Sequence, residues 1–219
     1  MPLRTYPSGA GFSPPARHWF IGATAGIGYA GDAAFSDGEG WYGKGNVMAG
    51  TQLSKDSSLV LFVDYDGNRT FLPDLPLPGF MYVAKWGDTL NYALGLPINA
   101  LTWTPTEKIK LSFSTYLLTS IDAEAEYKLN HNWKVFAKYA TRQDSFYVSD
   151  LPENRRLFYA ENRVESGIGY ALGESMELEV GIGYAFGREF STGFDKRDLH
   201  RITKVSDEPY ARLGLTIRY

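Results

Sequence analysis

The last twelve residues, Glu208 to Tyr219 (EPYARLGLTIRY), constrain the fold more than any other part of the chain. Ala211, Leu213, Leu215, Ile217 and Tyr219 share one face of a strand, and Arg212, Gly214, Thr216 and Arg218 share the other. Successive side chains of a strand point to opposite sides, so this period of two makes one face apolar and the other polar and basic. A soluble sandwich can bury such a strand. Ending on an aromatic of the apolar face, it reads instead as the closing strand of a transmembrane β-barrel, with hydrocarbon on one side and a polar interior on the other.

The same residues resemble the C-terminal assembly signal of Gram-negative outer-membrane barrels. Its polar, glycine, apolar and terminal aromatic positions are filled by Arg212, Gly214, Ile217 and Tyr219. That resemblance implies export, a bacterial outer-membrane location and handling by a barrel-assembly machinery.

Composition agrees. The chain has 219 residues, with 23 Gly, 15 Tyr, 13 Phe and 5 Trp, and glycine alternating with aromatics on short strands is a barrel texture. A mean hydropathy of −0.26 does not argue against a membrane. A spanning strand needs only about nine to eleven residues, every second one apolar. The absence of cysteine removes a disulfide framework and thiolate metal sites, and a net charge of −3 gives no footprint for nucleic acid. The opening MPLRTYPSGAGFSPPARHW has no apolar signal-peptide core, so an exported protein would be numbered here in its mature form. Residues 1–17 read as an extended tail rich in Pro and Gly, and 18–219 as one barrel.

Five short polar turns recur between large apolar residues: Leu53–Leu59, Trp86–Leu90, Trp103–Ile109, Leu129–Trp133 and Leu172–Met176. Trp86, Trp103, Trp133 and Tyr219 are expected to form a girdle between lipid and water. Long connections over 66–78, 143–161 and 188–207, a medium one over 31–40, and tight ones at 97–99 and 118–121 fall between these turns. Short periplasmic turns alternating with longer outer loops, with both termini inside, predict an all-β, single antiparallel transmembrane barrel of about twelve strands. Pro97 interrupts Leu90–Trp103, and if that stretch is one bent strand the count is ten.

The polar face collects Lys44, Asp64, Lys110, Asp122, Glu124, Glu126, Lys134, Lys138, Arg142, Arg163, Glu165, Glu177, Glu179 and Arg212. Opposite charges on neighbouring strands attract. Glu124 and Glu126 are expected to meet Lys134 and Lys138 across the 129–133 turn. Glu177 and Glu179 are expected to face Arg163 or Glu165, with Arg212 on the next pair. The set reads either as an ionic core filling the lumen or as the wall of a narrow, weakly selective pore. The repeated Gly-Ile-Gly-Tyr at 26–29, 167–170 and 181–184 turns glycine inward, relieves crowding and lets an aromatic lie over the backbone.

No enzyme is expected. Of three histidines, His18 opens the first strand, His131 sits in a short turn, and His200 lies in the last long loop near Ser191, Asp195 and Asp198. Asp144, Asp150 and Glu153 would have to complete a loop-site hydrolase by coincidence. Metal-ligand spacing is absent and no cofactor is expected. The loop Asp66–Phe80 (DGNRTFLPDLPLPGF) is apolar and Pro-rich, suited to a lid over the mouth or a surface for a partner, the plainer reading being a rigid loop without a ligand.

The motifs Leu75–Phe80 (LPLPGF), Leu94–Pro97, Trp103–Glu107, Arg156–Arg163 and Gly183–Arg188, then Asp198–Arg201, resemble a bacterial outer-membrane barrel family of unknown function, DUF6268-like. The resemblance implies an outer-membrane barrel and no reaction. The expected function is therefore an integral outer-membrane barrel in contact with lipid, either a narrow passive channel or a structural barrel with a charge-filled lumen. A scaffold whose outer loops bind a protein or surface polymer is the alternative.

Overall fold

A computed structural model describes residues 19–32, 40–117, 120–149, 151–152, 154–173 and 175–217. The expected tail 1–17, His18, the 118–119 part of one tight turn, most of the 31–40 connection, Asp150, Glu153, Arg218 and Tyr219 lie outside them. Thirteen strands follow in order: β1 (Trp19–Tyr29), β2 (Trp41–Ser54), β3 (Ser57–Asp66), β4 (Leu77–Trp86), β5 (Leu90–Leu96), β6 (Ile98–Thr106), β7 (Ile109–Tyr116), β8 (Ser120–Lys128), β9 (Trp133–Phe146), β10 (Arg156–Leu172), β11 (Met176–Gly193), β12 (His200–Lys204) and β13 (Glu208–Ile217). Each pairs antiparallel with the next along one sheet as far as β12, and β13 returns to β11.

The five short turns fall where the apolar brackets place them, joining β2 to β3, β4 to β5, β6 to β7, β8 to β9 and β10 to β11. Pro97 is the turn between β5 and β6, so Leu90–Trp103 is a hairpin and the count of ten is wrong. Thirteen strands occupy twelve places. β12 pairs the upper part of β11 (Glu189↔Lys204, Thr192↔His200), and β13 pairs the lower part (Ala185↔Glu208, Met176↔Ile217). Residues 205–207 break this last place. Its backbone is tied down by Val205 N–H to the Arg188 carbonyl (2.9 Å), and by Asp207 accepting from Gly187 N–H (2.9 Å).

One expectation is corrected and another is met only in part. The connections 143–161 and 188–207 are largely strand: β9 continues to Phe146, β10 starts at Arg156 and β11 runs to Gly193. Polar residues such as Gln143, Asp144 and Arg156 interrupt the apolar alternation there, and Arg156 is held by bonds to neighbouring elements. The closed barrel is also not seen. No ladder joins β1 to β12 or β13 among the described residues, so the structure is a curled sheet ending at β1 on one side. Alternation specifies strands and their faces, whereas closure depends on pairing strands about two hundred residues apart.

The curl is visible in which side chains meet. Lys134 on β9 reaches Glu177 on β11, and Arg212 on β13 reaches Glu165 on β10, each across an intervening strand. Strands two places apart are about 9.6 Å apart, so such pairs form on the concave side.

Candidate functional site

Ion pairs cross the concave face from β7 to β13. Lys110 pairs with Glu126 (2.5 Å), which also binds Lys134 (2.8 Å). Lys134 bonds Glu177 (2.5 Å) and Glu179 (3.0 Å). Lys138 bridges Glu124 and Glu179, each at 3.1 Å, and Arg212 joins Glu179 (2.7 Å) to Glu165 (2.8 Å). Alternating sign makes each carboxylate a partner of at least one cation. Tyr210 adds a hydroxyl donated to Glu165 (3.1 Å), and the Phe136 ring lies beneath Lys138, 4.4 Å from its ammonium. The expected links between Glu124, Glu126, Lys134 and Lys138 are present. Glu177 and Glu179 instead reach past β10 to Lys134.

Glycine is the reason. Opposite Lys134 on β10 stands Gly169, where a Cβ would lie 2.6 Å from the Lys134 Cε and 3.3 Å from the Glu177 carboxylate. Next to it Gly167 carries the Phe136 ring edge, 2.5 Å from where a Cβ would sit. With no side chain on β10 at this level, β9 and β11 meet over its backbone. The expectation that glycine makes room for aromatics is met here, and again where Tyr210 lies over Gly183.

The other predicted lining residues lie apart from this network. Arg163 pairs with Glu161 and sits 5.5 Å from the Tyr210 ring. Asp64, on β3, is bound by Arg69 (2.8 Å) of the loop that follows. Lys44, Asp122 and Arg142 are exposed. Glu161 was not anticipated: it is 4 % exposed, at a β-bulge between Ala160 and Asn162. The extra residue lies on β11, where Gly187 and Arg188 stand opposite Glu161, and the register of β10 against β9 is unbroken. Arg156 and Phe158, at the start of β10, are also buried.

Register also reveals an apolar half that sequence reasoning passed over. Directly opposed residues share a face, and Phe20↔Gly50↔Val60↔Met81 and Gly22↔Met48↔Phe62 put these side chains on the same face as the ion pairs. The inner face is therefore zoned, apolar on β1–β4 and ionic on β7–β13. The signal was present in Val60 and Phe62, which alternate out of phase with Leu59, Leu61 and Val63.

The opposite face is apolar along its length: Ile21, Ile27, Val47, Leu61, Val180, Ile182, Leu213 and Leu215 are all more than half exposed. Trp86, Trp103 and Trp133 stand exposed beside the short turns, Trp133 packing on Tyr170 at 4.6 Å. Of the expected assembly signal, Arg212 faces the ionic side, Gly214 lies opposite Glu179, and Ile217 is exposed opposite Met176.

At the end away from the short turns, the loop between β3 and β4 reaches across to β9, β10 and the β11–β12 connection. Arg156, 3 % exposed, is its anchor. Its guanidinium donates to the Asn68 side-chain oxygen (2.9 Å), the Arg69 carbonyl (3.0 Å) and the Phe194 carbonyl (2.8 Å). Asn68 donates to the Ser145 carbonyl (2.9 Å), and Ser145 donates back to Asn68 (2.9 Å). Arg69 binds Asp64 and donates to the Leu75 carbonyl (3.1 Å), closing the loop on itself. Asp195 is 1 % exposed; it accepts from Leu72 N–H (3.3 Å) and Arg197 (2.6 Å), and Lys196 N–H donates to the Thr70 carbonyl (2.8 Å). Hydrogen bonds from the Arg197 guanidinium, helped by backbone N–H groups of Arg197 and Leu72, hold the Asp195 carboxyl below the usual range against the opposing effect of burial. Leu72 and Asp74 have positive φ, which these bonds support. The loop is thus fixed to strands far from its own hairpin. Arg156, Asn68 and Ser145 were not anticipated, because Asn68 lies 77 residues from Ser145 and 88 from Arg156 in sequence.

Among the described residues no group of His, Asp and Glu has metal-site geometry. His200 lies exposed opposite Thr192, and His131 is in the exposed β8–β9 turn. Asp198 accepts from Phe194 and Asp195 N–H groups (3.1 and 2.9 Å), a turn-forming role. The family model of the domain of unknown function DUF6268 matches residues 84–218. No curated protein and no solved structure matches the chain.

Proposed function

The chain belongs to the DUF6268 family, and from that premise we propose that it is an integral outer-membrane β-barrel with a charge-filled lumen and a clamped outer mouth, a structural barrel rather than an open pore. The observation that carries this is the contrast between the two faces. One displays large apolar side chains at alternate positions of nearly every strand; the other holds ions paired to one another. Monomers in water rarely expose a contiguous apolar surface beyond a few hundred Å², whereas a bilayer requires one. The short-turn end, ringed by tryptophans, fits the periplasmic interface.

The network favours plug over pore. Passage would require breaking pairs already satisfied at 2.5 to 3.1 Å, and replacing them by hydrated ions returns little. β9, β10 and β11, of 14, 17 and 18 residues, exceed the roughly nine to eleven that span a bilayer, so their upper parts stand outside it. With the Arg156-anchored loop they form a rigid outer platform, which favours a scaffold for an external partner as the second reading.

Reconstitution in planar bilayers tests the proposal. Heat-modifiable migration with no unitary conductance is expected. Steady conductance from the native protein overturns the plugged reading, and solubility of the folded chain without detergent overturns the membrane.

A further inference from the structure

Resting on the barrel reading just proposed, we infer that the edge of β1 closes on β13 of the same chain in one register, with Ile21 opposite Ile217, Ala25 opposite Leu213 and Ile27 opposite Ala211. Several independent features of the sheet select it.

The first is the phase of the faces. Odd-numbered residues of β1 (Ile21, Ala23, Ala25, Ile27) point to the apolar side, as do Ala211, Leu213, Leu215 and Ile217 of β13. A register shifted by one residue would set apolar side chains against the ionic face, so only shifts of two are admissible.

The second is geometry. Followed from partner to partner, the row of opposed residues leaving β2 at Gln52, beside the partner of Trp19, arrives on β13 at Glu208. It has climbed from the short-turn end of one edge to the outer end of the other. In the inferred register it re-enters β1 about twelve residues above its start. For twelve strand places that shear corresponds to a tilt of about 35°, at the low end of the usual range of roughly 35–45°. The next two admissible registers, shifted by two and four residues, also fall in that range.

Pairing decides among these. In the inferred register Ile21–Tyr29 and Pro209–Ile217 face each other along their whole length. Each shift by two strands two more backbone positions of each edge in hydrocarbon, where an N–H or C=O has no other partner. Side-chain size agrees: Ala23 meets Leu215, Ala25 meets Leu213 and Ile27 meets Ala211, large against small on the lipid side, and inside Arg212 meets Gly26. Shifted by two, Ile27 would meet Leu213, large against large on the lipid side.

The chain has no cysteine, so paired cysteines report the seam without background. Opposed residues of an antiparallel ladder alternate between close and wide pairs, so one pair from each face samples both. Ala25→Cys/Leu213→Cys and Thr24→Cys/Gly214→Cys are compared with the shifted controls Ala25→Cys/Leu215→Cys and Thr24→Cys/Thr216→Cys, oxidised by copper–phenanthroline in liposomes. At least one inferred pair is expected to give an intramolecular disulfide about tenfold more completely than either control. Preferential cross-linking of a control, of neither set, or between two molecules overturns the inference. Liposome flotation and heat-modifiable migration of the same samples report separately on the barrel: failure there sinks the proposed function, while failure of the cross-link alone sinks only the register.

Discussion

Lys134 concentrates what single residues do in this protein. Its ammonium, on a side chain 17 % exposed, meets three carboxylates whose side chains are 11 to 13 % exposed. Removing one partner from such a cluster leaves charge without compensation in a poorly solvated place, typically costing about 3–5 kcal/mol. Lys134→Met is expected to lower unfolding stability in urea by that order. Glu124→Gln is expected to cost less than about 1 kcal/mol, since both it and Lys138 are about a quarter exposed and Lys138 keeps Glu179. Equal effects would mean that the face is open to water. The residues able to build this network were legible, because Lys and Glu alternate with apolar neighbours. The pairing across β10 was not, because an inward Gly169 looks in sequence like any other strand glycine.

At the scale of elements, the loop between β3 and β4 is an independent unit clamped to β9, β10 and the β11–β12 connection. Its clamp titrates. The Asp195 carboxyl is lowered in the folded protein, so its stabilising contribution is complete above the ordinary value of about 3.9 and is lost as pH falls through the lowered folded value. Amide exchange over residues 67–76, corrected for intrinsic rates, is expected to remain slow at pH 5 and to accelerate below about pH 4. Asp195→Asn should show the fast behaviour at both. Exchange insensitive to both changes would show that Arg156 alone holds the loop. The loop's apolar, Pro-rich character could be read from the chain. Its anchor could not, since the partners of Arg156 at Asn68 and Arg69 lie 88 and 87 residues away.

For the whole molecule, the question is what wets the outer face. Val180 is 53 % exposed near the middle of the lower part of β11, opposite Leu213. Arginine at a bilayer midplane costs about 2–4 kcal/mol on a barrel's lipid face, while most exposed substitutions in water stay within about 0.5 kcal/mol. Val180→Arg is therefore expected to depress stability and insertion by the larger amount in liposomes. A neutral result would place that face in water.

Most strands, the two faces, the short-turn end and the ions that gather on one side were settled by the amino-acid order. They follow from a period of two and from turn residues that act over a few positions. The bridging over β10, the zoning of the inner face, the division of the last place into β12 and β13, and the loop held by Arg156 emerged only from the tertiary structure. They depend on which distant strands stand side by side, and local alternation carries no information about that.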